Sequence, residues 1–131
     1  MGKITKPIID LEGLPDVPAW YLVATKFNHE EKYAENLALG LEAKQLTGKI
    51  VEWFVPIKLE EVETTNKKGE LVVKQKKVKI LDNYVYVKAV MDESVWDYLR
   101  TTVGASTVLA PGGIPSVTPD TDVERMKALC K

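Results

Sequence analysis

Two short runs constrain this chain most: Trp20–Phe27 (WYLVATKF) and Tyr84–Met91 (YVYVKAVM). Both are dense in aromatic and β-branched residues and contain neither Pro nor Gly, so both are predicted as strands. In the second run, alternation sorts the side chains. Tyr84, Tyr86 and Lys88 fall on one face, and Val85, Val87 and Ala89 on the other. If Val-Val-Ala faces a core, the tyrosines belong to a second face. Either helices cover that face as well, or it is an aromatic recognition surface that stacks bases or anchors a partner protein.

The remaining segments fit around these strands. At 131 residues the chain is long enough for one domain and a sizeable core. Residues 1–18 carry Gly2, Pro7, Gly13, Pro15 and Pro18 and are predicted as an extended arm; residues 19–131 form the domain. Asn28, with Glu31 three residues on, reads as the N-cap of a helix whose stripe is Tyr33, Leu37 and Leu41. That helix is expected to reach about Leu46 and to end at Thr47-Gly48. Ile50–Ile57 is a strand with Pro56 near its end, continued in extended form over Leu59–Thr64. Asn66-Lys67-Lys68-Gly69 then turns the chain, and Glu70–Ile80 returns as the second arm of a long hairpin.

Asp92 caps a short helix with Val95, Trp96 and Leu99 on one face. Ser106–Ala110 is a last strand, broken by Pro111-Gly112-Gly113. Thr118-Pro119-Asp120 opens a final helix with Val123, Met126 and Cys130 inward. The order β-α-β-β-β-α-β-α defines an α+β fold: a mainly antiparallel sheet flanked by helices, with a protruding hairpin.

The chemistry available for catalysis is thin. The single His, His29, is followed by Glu30 and Glu31 at a helix start and reads as a solvated residue. Nothing pairs with it at metal-ligand spacing. The stretch Ala110–Ile114 lacks the frame of a phosphate-binding loop. The single Cys, Cys130, excludes a disulfide framework, suits a reducing compartment and reads as a small core residue. No catalytic residue, metal or cofactor is expected, and the chain is not expected to be an enzyme. No run approaches the ~20 apolar residues of a membrane span, and the start lacks a signal core, so a cytoplasmic location is expected.

Eighteen Lys and Arg against nineteen Asp and Glu give a net charge of −1, which conceals a polarised segment. Lys67–Lys79 holds six lysines against one glutamate, a net of +5, whereas Lys58–Glu63 carries one lysine and three glutamates. Cross-strand ion pairing, with edge lysines that discourage aggregation, accounts for the strand itself. Lys67 and Lys68 at the tip are the better candidates for touching a phosphate backbone.

With these residues in place, the chain resembles the N-terminal domain of NusG-type transcription elongation factors. Trp20-Tyr21-Leu22-Val23 is similar to the family's opening strand, and Glu30, Lys32 and the Tyr33/Leu37 stripe to its first helix. Phe54-Val55-Pro56 with Glu60-Glu61-Val62-Glu63 resembles its Val-Pro-x-Glu-Glu-Val segment, and Leu81–Val87 its Phe-Pro-Gly-Tyr-Val-Leu-Val. Met91–Ser94, Trp96, Arg100–Thr102, Gly104 and Thr118–Asp120 follow in the same order, so the resemblance runs from about Ala19 to the C-terminus.

The resemblance implies a four-stranded sheet that binds RNA polymerase on the coiled coil of its clamp and modulates pausing, processivity or antitermination. Leu81 and Tyr84 would belong to the docking patch, grouped with Trp20 and Tyr86. Thr101 and Thr102, with Arg100 beside them, would lie where members touch the non-template DNA strand. In this sequence Leu81-Asp82-Asn83 stands for Phe-Pro-Gly, and Asn is the residue best able to hold the left-handed conformation of the replaced Gly. Thr101 stands for the Asn of an Asn-Thr pair. The family continues into a small β-barrel KOW domain where this chain stops, and contacts with Rho or the ribosome would need that barrel. A monomer is expected.

A free-standing single-stranded RNA-binding module is the alternative, with Tyr84 and Tyr86 stacking bases. Lys79–Tyr86 lacks the glycines of the RNP1 signature.

Overall fold

The computed structural model describes Leu11 and residues 13–130. Most of the expected N-terminal arm therefore lies outside the described residues. Within it, Leu11 and Leu14 pack half-buried against the main core.

Four strands form the central sheet: β1 (Ala19–Thr25), β2 (Ile50–Phe54), β5 (Tyr84–Ala89) and β6 (Ala105–Val108). Their spatial order is β2-β5-β1-β6, and every pairing is antiparallel. The two runs that anchor the sequence reading are its central pair, with Leu22 opposite Tyr86 and Ala24 opposite Tyr84. β3 (Ile57–Thr65) and β4 (Leu71–Lys79) make a separate two-stranded hairpin.

Three helices complete the fold: α1 (Glu30–Gly40), α2 (Glu93–Thr101) and α3 (Asp120–Leu129). Val23, Val85, Val87 and Ala89 point to one face and are fully buried with Tyr33 and Leu37 of α1 and Val95 and Leu99 of α2. Two hydroxyls tie these helices together. Tyr33 Oη donates to the Leu99 carbonyl at 2.8 Å, and Tyr98 Oη to the Leu37 carbonyl at 2.5 Å. Gly104, at φ +103°, lets the α2–β6 loop pass Tyr33, where a Cβ would stand 3.2 Å from the Tyr33 Cβ.

Four boundaries differ from expectation. The extended stretch after Ile50 is not continuous. It breaks at Val55-Pro56 into strands of different sheets, so four strands rather than three separate α1 from α2. Pro56 cannot donate to a ladder; its carbonyl accepts from Ile80 instead, at 2.9 Å. Asn28 is not the cap of α1. It is left-handed, at φ +59°, and His29 takes the N-cap position without a side-chain cap. His29 itself is exposed.

The first helix ends at Gly40 rather than near Leu46. Its last-turn Leu37 carbonyl accepts from Tyr98, and the chain continues in turns to a left-handed Gln45. β6 spans Ala105–Val108 rather than Ser106–Ala110. The Asp92 cap does form, its Oδ1 accepting from the Val95 amide at 2.8 Å.

Candidate functional site

The outer face of the sheet carries the site. Trp20 and Leu22 of β1, Tyr86 of β5 and Phe54 of β2 share this face, and α3 crosses part of it. Under α3, Trp20 and Tyr86 are 3% and 5% exposed and pack on Val123 and Met126. Aromatic geometry is specific here. Phe54 and Tyr86 stack with centroids 4.8 Å apart, and Trp20 meets Phe54 edge-on at 5.5 Å. Lys127 fastens the helix, its Nζ lying 4.9 Å over the Trp20 ring and 2.7 Å from Glu52 Oε2. Burial pushes the Tyr86 hydroxyl above its ordinary pKa, and the nearby Asp122 and Cys130 add to this.

Beyond the footprint of α3 the same face stays partly open. Leu22, Phe54 and Leu81 are half-buried around the Trp20/Tyr86 floor, and Tyr84 is half-buried one alternation along β5. Of the four residues grouped as a docking patch from the sequence, Leu81 and Tyr84 are half-buried, and Trp20 and Tyr86 are not surface residues. Trp20 and Tyr86 are the floor, because the third helix occupies the sheet above them. A base-stacking platform of Tyr84 and Tyr86 is closed for the same reason.

The turn that carries Leu81 into Tyr84 is held from below. Asn83 is left-handed at φ +66°, as its Gly-like role required. Its carbonyl accepts from the Thr25 amide at 2.8 Å, and its amide donates to Glu30 Oε2 at 2.8 Å. Glu30 is 2% exposed and also pairs with Lys79 Nζ at 3.2 Å. Burial acts to raise the Glu30 carboxyl, but the Asn83 amide, its own helix-start amide and Lys79 outweigh it and hold the pKa below the ordinary value. Lys79 reaches the Asn28 side chain as well, and Lys77 pairs with Glu31 at 2.7 Å. One buried carboxylate therefore joins the hairpin root, the start of α1 and the turn from Leu81 to Tyr84.

Sequence reasoning missed Glu30, whose spacing looks like any solvated first-turn acid. It also missed Phe54 and Leu22 as lining residues, although their strand alternation carries that signal.

The other candidates lie apart from this patch in the chain. Arg100 and Thr101 are exposed at the end of α2; Arg100 pairs with Asp97 at 2.7 Å, and Thr101 Oγ1 donates to the Asp97 carbonyl. Thr102 is half-buried, its hydroxyl donating to the Tyr98 carbonyl at 2.6 Å. Lys67 and Lys68 are exposed at the hairpin tip, where Asn66 Oδ1 accepts from the Lys68 and Glu70 amides. Among the described residues, no group of three or more His, Cys, Asp or Glu is placed to hold a metal ion, and no helix is long and apolar enough to cross a membrane.

An antiparallel sheet with two helices on its inner face, a third over part of its outer face and a half-open apolar patch beside it defines the class: an α+β domain with a long projecting hairpin. A profile described as transcription termination factor nusG matches residues 18–127. The transcription termination/antitermination protein NusG of Halalkalibacterium halodurans is 34% identical over 97 residues, covering 74% of this chain and 52% of that protein. The protein of that name from Bacillus subtilis is 35% identical over 94 residues, covering 72% and 50%. A solved structure of Thermotoga maritima NusG superposes with a TM-score of 0.67 at 22% identity, over 86% of this chain and 57% of that one, and shows the shared fold. The chain belongs to the NusG family. It spans about half the length of the curated relatives it matches.

Proposed function

We propose that this domain binds RNA polymerase, docking on the coiled coil of the clamp, and modulates pausing, processivity or antitermination. The observation that carries the reading is the half-open apolar patch of Leu22, Phe54, Leu81 and Tyr84 on a rigid aromatic floor, in a chain whose relatives are named transcription termination/antitermination proteins. An exposed rim over a buried, pre-organised base is the anatomy of a protein-docking site. Leu81 and Tyr84 make the contact; Trp20 and Tyr86 keep the patch flat and stiff beneath them. Arg100, Thr101 and Thr102 lie toward the non-template DNA strand, and Lys67 and Lys68 reach nucleic acid from the hairpin tip. The domain acts as a cytoplasmic monomer, and contacts with Rho or the ribosome belong to a KOW barrel.

The test is retention on immobilised core RNA polymerase. Wild type is retained, and Tyr84→Ala weakens binding by about 2 kcal/mol, roughly thirtyfold, as for a central aromatic anchor. Equal retention of both removes Tyr84 from the interface, and no retention of wild type removes the reading.

A further inference from the structure

The hairpin arm divides its charge by strand, β3 being acidic and β4 basic, and also by face. In its register Lys58 stands opposite Val78, Glu60 opposite Lys76, Val62 opposite Lys74 and Thr64 opposite Val72. Directly opposed residues project to the same side of a sheet, so Lys58, Lys74 and Lys76 share one face with Glu60 as its one acid. The other face holds Leu59, Glu61, Glu63, Leu71, Val73 and Gln75, and nearer the root Lys77 and Lys79.

The lysines differ in the same way. Lys77 and Lys79 are consumed by Glu31 and Glu30 of α1. Lys58, Lys67, Lys68, Lys74 and Lys76 make no ion pair among the described residues, and Glu60 does not close on Lys76. Edge protection accounts for lysine on these strands but selects no face, whereas the unpaired strand lysines lie together on one side and the exposed Leu59, Leu71 and Val73 on the other.

We propose that the basic face of the hairpin is a rail for the phosphate backbone of a nucleic acid, formed by Lys58, Lys74 and Lys76 and continued at the tip by Lys67 and Lys68. The chemistry selects a backbone and not bases. Among its other side chains, Val62, Thr64, Val72 and Val78 offer no aromatic ring for stacking, and lysine is a point charge without the fork that reads a base edge. The two-residue step along a strand is about 6.8 Å, two phosphate rises of about 3.4 Å along one strand of a duplex. Because the chain as a whole is at −1, its total charge supplies no attraction of its own, and binding must come from the rail. The inference deepens the assignment of Lys67 and Lys68 above and does not depend on docking to polymerase.

The test uses the purified chain and mixed-sequence probes: fluorescence-labelled duplex DNA, single-stranded DNA and single-stranded RNA, titrated across a salt series. Wild type binds all sequences of one probe type equally, and log K falls linearly with log salt, by about 0.9 per neutralised phosphate for duplex and about 0.7 for single strands. Lys74→Gln with Lys76→Gln lowers the steepness by about two contacts, while Lys77→Gln, which removes a lysine already paired, changes it little. Circular dichroism confirms that each variant is folded. An unchanged slope in the double variant, affinity that follows base sequence, or no binding of any probe at low salt overturns the rail. Retention of the double variant on core polymerase separates the two proposals: it stays if docking is through Tyr84 and falls only if the arm itself carries docking.

Discussion

The central sheet and the hairpin arm are built from the same kind of sequence, yet they are stabilised in opposite ways. In β1 and β5 alternate residues are fully enclosed, and the sheet holds helices on both faces. In β3 and β4, nine residues each, no side chain is buried. The sheet is held by apolar burial, at about 25 cal/mol per Å² removed from water, and the arm by its ladder and by ion pairs at its root. Side chains can therefore change on the arm with little cost to the fold, whereas the apolar patch, seated on the sheet, is constrained by the core beneath it.

The largest effect that separates the two regions is expected inside the sheet. Tyr33→Ala removes a fully buried ring and the hydroxyl that donates to Leu99, and costs about 3–5 kcal/mol by denaturant titration. Loss below 1 kcal/mol would mean the inner face is not the stabilising layer.

Next comes the junction of body and arm. Glu30→Ala leaves the part-buried Asn83 amide without its acceptor and takes the partner from the exposed Lys79, which costs about 1–3 kcal/mol. It also moves the Asn83 and Tyr84 amide resonances, whereas a defect confined to the α1 terminus would leave them in place. Acid sharpens the point. Glu30 lies below its ordinary value of 4.5, and Asp92, despite partial burial, is held at about 2 by Lys49, Ser94 and the Val95 amide. Both carboxyls have folded-state values below their unfolded ones. Their stabilisation is complete above about pH 4.5 and is lost as pH falls, for Asp92 from 3.8 through about 2. Asp92→Asn flattens that acid limb in a pH series of thermal melts; an unchanged limb would remove Asp92 from it.

The legibility of the molecule divides along the same line. Strands β1 and β5, the face of α2 and the hairpin follow from alternation and helical spacing, because burial writes a period into sequence. The left-handed Asn83 was legible only through the resemblance, because Asn stands where the family has Gly; Asn28, left-handed too, reads as a cap from sequence. What could not be read is set by tertiary contact. Glu30 looks solvated until Asn83 and Lys79, about fifty residues away, close over it. Tyr86 looks open until α3 lies across it, and the early end of α1 is met by Tyr98, which donates to one of its last carbonyls.

Smaller effects test the outer face and the arm. Lys127→Met removes the Glu52 pair but keeps an apolar stem over Trp20, so the loss is about 0.5–1 kcal/mol. If α3 instead detaches, Trp20 fluorescence shifts to the red, which would show that the lysine and not Val123 holds the helix. The arm lysines sit at the bottom of the scale. Lys74→Gln with Lys76→Gln removes two exposed charges that make no ion pair among the described residues, so stability stays within about 0.5 kcal/mol. Relief of repulsion between like charges on one face favours the variant, if anything. A destabilisation above 1 kcal/mol would mean these lysines support the fold, and the division between a load-carrying sheet and a free arm would fail at the place where it is drawn most sharply.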